Sequence, residues 1–250
     1  MTNTLEQQLP HITKDPALDN DFYREWMARR LSIEELEVFV RNYGGWVKSF
    51  PNALATLILT TEDLEAKSEY VKTLYSEMGY GNASKAHSVL LDVFFDDLSA
   101  RMGEAGRLDR GRLEKNIEML PSTHGLIDGQ QVLYSDPQMS IGAQLALEWQ
   151  AYTMLRQVYD GARNYIDLWP NPDEFHEACE YFYTHIGAAE KDHKEESLHA
   201  LRRYAVNDEV LARITEGYRR QLDLLRDFWA GIYEATSAVR EKASPAAVES

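Results

Sequence analysis

Apolar residues recur at helical spacing through nearly the whole chain, and the alternation expected of strands is scarce. This limits the folds open to it. A helix with one apolar stripe must bury that stripe on other helices, so several long helices in one chain make an all-α bundle.

The helix boundaries can be read from local chemistry. Ser32-Ile33-Glu34-Glu35 is a capping box, in which the serine oxygen and Glu35 satisfy each other's backbone donors. Pro51 suits the first turn of a following helix, where its missing N–H has no intrahelical partner to lose. Thr61, with Glu62 and Asp63, opens a helix running to Met78, and Gly79 and Gly81 end it in the left-handed conformation. A helix follows from Ser84 over 84–102, then a loop over 103–109 and a short helix or irregular stretch over 110–120. Asp136-Pro137 precedes a long helix over 140–165. Pro170-Asn171-Pro172 breaks the chain, 173–204 reads as one helix with room for a kink, and Asn207-Asp208 opens a last helix of about thirty residues. The expectation is seven or more helices in one domain spanning 1–250, with 1–16 and 243–250 as loose termini.

Charge narrows the partners. The formal net charge of -15 repels phosphate backbones and anionic lipid. The densest basic stretch, Arg101 to Lys115, is interleaved with Glu104, Asp109 and Glu114, so neither nucleic acid nor a membrane surface is expected. Cys179 is the one cysteine, which precludes an intrachain disulfide and a thiolate zinc site. The opening MTNTLEQQLP lacks a basic and then apolar leader, and no window approaches ~20 apolar residues. A cytoplasmic location is the expectation.

Chemistry is sought where ionisable groups fall on apolar helix faces, because an ionised carboxylate facing a core costs several kcal/mol unless paired or bound to a cation. Glu148 has Leu145, Ala151, Tyr152 and Leu155 on its face, with Gln144 the one polar neighbour. The structural alternative gives it a tyrosine or arginine partner. Glu77 follows Tyr70 and Leu74 on its face, and His87 is flanked by Ala83, Leu90, Leu91 and Phe94. A lone core histidine is more often structural than a ligand, but a buried acid lies just across a tight turn from this one. His185 is backed by Tyr181, Phe182, Ala188 and Ala189, and His193 follows eight residues later with Glu190 and Asp192 between them. Ideal geometry leaves the two histidines about 80° apart, an offset that a π-bulge would correct. The alternative places Glu190, Asp192 and His193 in a solvated charge run with Lys194, Glu195 and Glu196. Inward acids and histidines on three long helices are how bundles build di-iron carboxylate centres, and mixed imidazole and carboxylate donors suit iron or manganese.

These stretches resemble the haem-oxygenase-like di-iron oxidases. Tyr75-Ser-Glu-Met-Gly-Tyr-Gly followed by Ala86-His87-Ser88 is similar to that family's E-x-G-x-G…H block. Leu145-Ala-Leu-Glu148 matches its central glutamate helix, and Phe182-Tyr-Thr-His185 with Glu190-Lys-Asp-His193 resembles its third ligand helix. The segment from Val40-Arg-Asn-Tyr43 through Phe50-Pro51 is similar to its first core helices. The resemblance implies a haem-oxygenase-like bundle holding two Fe(II) per chain, with O2 as co-substrate. It assigns Glu77, His87, Glu148, His185, Glu190 and His193 as metal ligands. The family pattern H-x-x-x-D-x-x-H is departed from here: the histidines stand one residue further apart and Ala189 occupies the acid's place. Glu190 keeps the acid-x-x-His half of the pattern, with Asp192 as its competitor. Some relatives carry a further glutamate from an early helix, but the stretch from Tyr43 to Pro51 offers no carboxylate. Tyr43, Trp46 and Phe50 read as packing residues, with a pocket wall as the other reading.

The implied activity is oxidation by O2 of a small nitrogen-containing substrate, an amino acid or amine derivative, with N-oxygenation favoured. The same centre could instead cleave a C–C bond or decarboxylate an amino or fatty acid. An external electron donor and a homodimer are compatible with it. Tyrosine is abundant, at 14 residues, and Tyr152, Tyr159, Tyr181 and Tyr183 could line a pocket while Arg156 or Arg163 binds a substrate carboxylate. Tyr152, Arg156 and Tyr181 are the substrate-binding candidates, packing and surface ion pairs being the alternative. Two rival classes are a metal-free enzyme on the same fold and a non-catalytic interaction protein. For the first, Cys179 is the one thiol, and its neighbours Glu177 and Glu180 would raise its pKa.

Overall fold

Short polar residues mark where most of the helices begin. A computed structural model of the chain describes residues 4–186, 189–205 and 207–243, without the side chains of residue 4 and of 185–196. Its α-helices are α1 (Thr4–Gln8), α2 (Asp21–Ala28), α3 (Ile33–Thr60), α4 (Leu64–Glu77), α5 (His87–Arg101) and α6 (Arg110–Asn116). They continue with α7 (Pro121–Tyr134), α8 (Met139–Ala162), α9 (Pro172–Ala178), α10 (Glu180–Ile186), α11 (Ala189–Tyr204) and α12 (Asp208–Ala243). Side-chain oxygens of Asn20, Ser32, Asp63, Asp109 and Asn171 accept from backbone N–H groups in the first turns of α2, α3, α4, α6 and α9. Asn207 does the same for Val210 at 2.9 Å. The capping box at Ser32 and Glu35 is present in both directions.

Several boundaries differ from the sequence reading. Pro51 sits inside α3, which runs unbroken through it. Its missing N–H deprives the helix of one bond, and packing along the remainder of α3 outweighs that loss. Asp63, two residues beyond Thr61, caps α4. Two single 3-10 turns, Gly79–Gly81 and Ala83–Lys85, precede α5, so that helix starts at His87 and not at Ser84. Within 173–204 the described residues are helical on both sides of a break at Cys179. At Cys179 the backbone N–H is shared between the carbonyls of Phe175 (3.1 Å) and His176 (3.0 Å), the tightened last turn that ends α9. The expected loose arm is also folded over its described part. Leu5, Leu9 and Ile12, spaced as one helical stripe, are buried, and Asp15 is held by Arg226 of α12 at 2.8 and 2.5 Å. At the other end Ala243 closes α12, and 244–250 lie outside the described residues.

The core is organised around α8, whose first half, from Met139 to Ala151, is buried on nearly every side and whose second half is buried along one face. A helix apolar all round belongs in the middle of a bundle. It packs against α12, α11, α2, α10 and α7, and α3 lies across α7, α12, α4 and α5. A cluster of buried residues reaches continuously from Leu5 to Ile232, with Phe22, Tyr23, Trp26, Phe39, Tyr43 and Trp229 at its centre. The rings of Tyr23 and Trp229 are 4.5 Å apart, and Trp26 anchors to α8 by donating to the Val158 carbonyl at 2.8 Å. The start of α7 has no side-chain cap of its own. Asn42 of α3 supplies one, accepting from the Leu120 N–H at 2.8 Å and the Thr123 hydroxyl at 2.7 Å. Among the described residues no helix is long and apolar enough to cross a membrane.

Helices α8 and α12 approach with their backbones nearly in contact. A Cβ on Gly142 would lie 1.8 Å from the Ile214 carbonyl oxygen, and one on Gly217 would lie 2.0 Å from that of Met139. Neither obstacle is a side chain that could swing away. Gly142→Ala therefore forces the two helices apart and is expected to cost about 1–3 kcal/mol or more, the range of an overpacked core. Thermal unfolding checks this; a variant that melts with the wild type would show that the contact can relax.

Candidate metal centre

A turn of unusual backbone builds one side of the site. Gly79, Tyr80 and Gly81 have φ of 66°, 55° and 86°, three left-handed residues in succession immediately after α4. A Cβ on Gly79 would lie 2.4 Å from the backbone carbon of Lys85, so only glycine lets 85–86 pass so closely. Tyr80 adopts a conformation rare without glycine, braced by the Tyr75 ring at 5.6 Å and by the Ser76 hydroxyl, which donates to its oxygen at 3.1 Å. The result is local and specific: the last residue of α4 meets the first of α5. His87 Nδ1 stands 3.0 Å from Glu77 Oε2, both side chains almost wholly enclosed.

Glu148 comes to the same place from α8. It is buried, and its Oε1 accepts from Gln144 Nε2, one turn earlier, at 2.5 Å. Gln144 is thus one partner of Glu148, supplied from its own helix. Behind it Tyr134 donates to Gln144 Oε1, also at 2.5 Å. Burial first, and then the Glu148 carboxylate, push the Tyr134 phenol well above its ordinary range, so it remains a donor.

Glu77, His87 and Glu148 line one cavity of about 80 Å³, more than a single water needs. Tyr43, Trp46, Phe50 and Tyr181 form its aromatic wall, and Leu147, Ala151, Met154 and Leu155 an aliphatic one. Thr73, Ser76 and Thr184 contribute hydroxyls. Tyr43 and Tyr181 share a hydrogen bond of 2.8 Å, and burial, with a smaller contribution from Glu77, raises the Tyr43 phenol well above its usual value. Tyr43, Trp46 and Phe50 are both packing residues and cavity wall.

Of the three substrate-binding candidates, only Tyr181 reaches this cavity. Helix α8 turns 100° per residue, so Glu148, Ala151 and Leu155 share its inner face while Tyr152 and Arg156 rotate outward. Tyr152 is 45% exposed, and Arg156 is spent on Asp160 one turn along the surface at 3.1 Å. Arg163 is likewise exposed and lies 3.7 Å from Asp160. Tyr159 and Tyr183 bond each other at 2.8 Å outside the cavity lining. The expectations for His185, Glu190, Asp192 and His193 fall on side chains outside the described residues. Among the described residues no three His, Cys, Asp or Glu side chains close around a common point.

The described donors nevertheless fit iron in kind. One imidazole and two carboxylates are the hard-to-borderline set that Fe(II) or Mn(II) takes. The 3.0 Å between His87 Nδ1 and Glu77 Oε2 is the spacing of adjacent ligands on an octahedral cation with bonds of about 2.1 Å. Sequence reasoning missed Thr73, Ser76, Thr184 and the hydrogen-bonded residues behind Glu148. Gln144 stood out in the sequence as the one polar neighbour of Glu148, but not as its hydrogen-bond donor.

The fold and the site define an all-helical protein with a haem-oxygenase-like architecture. Solved structures align along nearly its whole length. A CADD-like protein of unknown function from Nostoc punctiforme matches at TM-score 0.69 and 17% identity, over 94% of this chain and 96% of the other. A domain of unknown function with a heme oxygenase-like fold from Shewanella denitrificans matches at 0.69 and 16%, over 96% and 95%. A TenA homolog from Pseudomonas syringae matches at 0.69 and 13%, over 91% and 92%. In sequence, residues 37–226 match the model of a family described as iron-containing redox enzymes, and the chain belongs to that family. A shorter stretch of 81 residues is 31% identical to a protein named 4-aminobenzoate synthase from Chlamydia muridarum. That match covers 32% of this chain and only 34% of the relative.

The lone thiol is no part of the cavity lining. Cys179 is fully buried at the end of α9, and burial, not its acidic neighbours, pushes its pKa up to about 12. At pH 8 a thiol of that pKa is thiolate in roughly one molecule in ten thousand. Iodoacetamide is therefore expected to alkylate Cys179 at least a hundredfold more slowly in the native chain than in urea. Equal rates would restore a thiolate mechanism.

Proposed function

We propose that the chain is a di-iron oxygenase that oxidises a small nitrogen-containing substrate with O2, at or next to the nitrogen. The observation that carries the reading is the convergence of Glu77, His87 and Glu148, from three helices, on the lining of one cavity. Two Fe(II) would be held by these three together with His185, Glu190 and His193, Asp192 competing with Glu190. Bound there, iron supplies the electrons and the open positions for O2, with an external donor returning electrons where the net reaction needs them.

The chain's own residues do the rest. Tyr43, Trp46, Phe50 and Tyr181 present flat faces to a substrate ring, and the aliphatic wall keeps bulk water out. Among the described lining residues there is no lysine or arginine, so the described wall offers a substrate carboxylate no cationic side chain. The hydroxyls of Thr73, Ser76 and Thr184 are placed to hold a polar substituent. The name of the Chlamydia relative points to a compound that carries an aromatic amine and a carboxylate together.

Anaerobic titration with Fe(II) is the test. Roughly two iron ions per chain are expected, with an optical change on admitting O2 that Glu148→Ala abolishes and Cys179→Ala leaves intact. Aromatic amines should accelerate O2 consumption severalfold more than the matching carboxylic acids. A chain that takes up no iron, or a Glu148→Ala variant indistinguishable from wild type, would end the proposal.

A further inference from the structure

Glu148 is the terminus of a buried hydrogen-bond chain that crosses three helices. Trp46 Nε1 of α3 donates to Gln130 Oε1 at 3.2 Å. Gln130 Nε2 of α7 donates to Tyr134 Oη at 3.3 Å. Tyr134 donates to Gln144 Oε1 and Gln144 Nε2 to Glu148 Oε1, each at 2.5 Å. All five residues are buried, none more than 7% exposed.

The ends of the chain set its direction. An indole N–H can only donate, so the Gln130 oxygen must face Trp46 and its amide nitrogen must face Tyr134. The Tyr134 oxygen then accepts, and its proton is left for Gln144. That places the Gln144 nitrogen against a carboxylate oxygen, which accepts. Turning either glutamine over would bring like groups face to face, so the assignment of amide O and N is the one arrangement that satisfies every link.

Stability alone gives little reason for such a chain. Apolar groups of the same shape at linked positions are often neutral or stabilising relative to buried polar pairs. A satisfied chain selects instead one orientation of each member. Trp46 and Glu148 both line the cavity, so the chain leaves its wall, passes behind it through α7 and returns at the carboxylate. We infer that this chain is a positioning device for the metal centre, with Gln144 and Tyr134 fixing how the Glu148 carboxylate is presented to the cavity. The inference rests on the reading of Glu148 as an iron ligand.

Co(II) binding to the full chain tests it without recourse to turnover. Tyr134→Phe removes one hydroxyl and keeps the ring, cutting the chain at its middle. Outer partners of metal ligands typically contribute about 10–100-fold in affinity. Tyr134→Phe is thus expected to weaken Co(II) binding by about tenfold or more and to shift the visible d–d bands. Gln150→Leu is the control. Gln150 is equally buried on α8, but its amide donates to Met154 Sδ at 4.0 Å, outside the chain. Its variant should keep wild-type affinity and spectrum. If Tyr134→Phe does not fold, Gln130→Met cuts the preceding link and is expected to act in the same direction. Wild-type affinity and bands in the chain-cutting variant, or equal losses in Gln150→Leu, would overturn the positioning role alone. A wild-type chain that takes up no Co(II) would overturn the reading of the site with it.

Discussion

A carboxylate in the middle of the most buried helix is the constraint from which the rest follows. Helix α8 is enclosed by five others, and Glu148 lies on its inner face with apolar neighbours. An acid there must be given acceptor-compatible partners or a cation, or it will not remain ionised. The structure supplies a directed partner in Gln144 and, across the cavity, a second acid with an imidazole beside it. In ordinary core packing such groups would be a liability.

The unusual local features of the fold converge on the same cavity. The left-handed run at 79–81 incurs backbone strain, and what it gains is the meeting of Glu77 and His87 across two helix ends. The near-contact of α8 and α12 through Gly142 and Gly217 holds the N-terminal half of α8 in register, and Gln144 and Glu148 lie just beyond it. Trp26 fastens the other half of α8 to α2. The helix that bears the central carboxylate is therefore fixed on both sides of it, and a first-turn cap borrowed from α3 fixes α7 behind it.

Much of this was legible in the sequence, for physical reasons that can be named. Caps are short-range, so Ser32, Asn207 and the Gly79 and Gly81 stop announced themselves. Glu148 and His87 stood out because their helical neighbours are apolar. Helix α7 did not, because Thr123 and Gln130 break the apolar stripe of Leu126, Leu133 and Tyr134 and two glycines interrupt its pattern. With α7 went the hydrogen-bond chain behind Glu148, which depends on contacts between residues up to 84 apart. Tyr152 and Arg156 were misplaced by less than one helical turn: they neighbour Glu148 and Tyr152 in sequence, but α8 rotates them to the surface. The break between α9 and α10 turns on a bifurcated bond at Cys179 that no local residue preference signals. Pro51 shows the converse, a strong local signal overridden by packing along the rest of α3.

The most direct examination of the central claim is an anomalous difference map, at the iron edge, from crystals of the chain grown with Fe(II). The account predicts strong peaks inside the cavity, one within bonding reach of Glu77 and His87 and at least one contacted by Glu148. A cavity without anomalous density, or iron bound only at surface acids while these three side chains keep their present contacts, would contradict it.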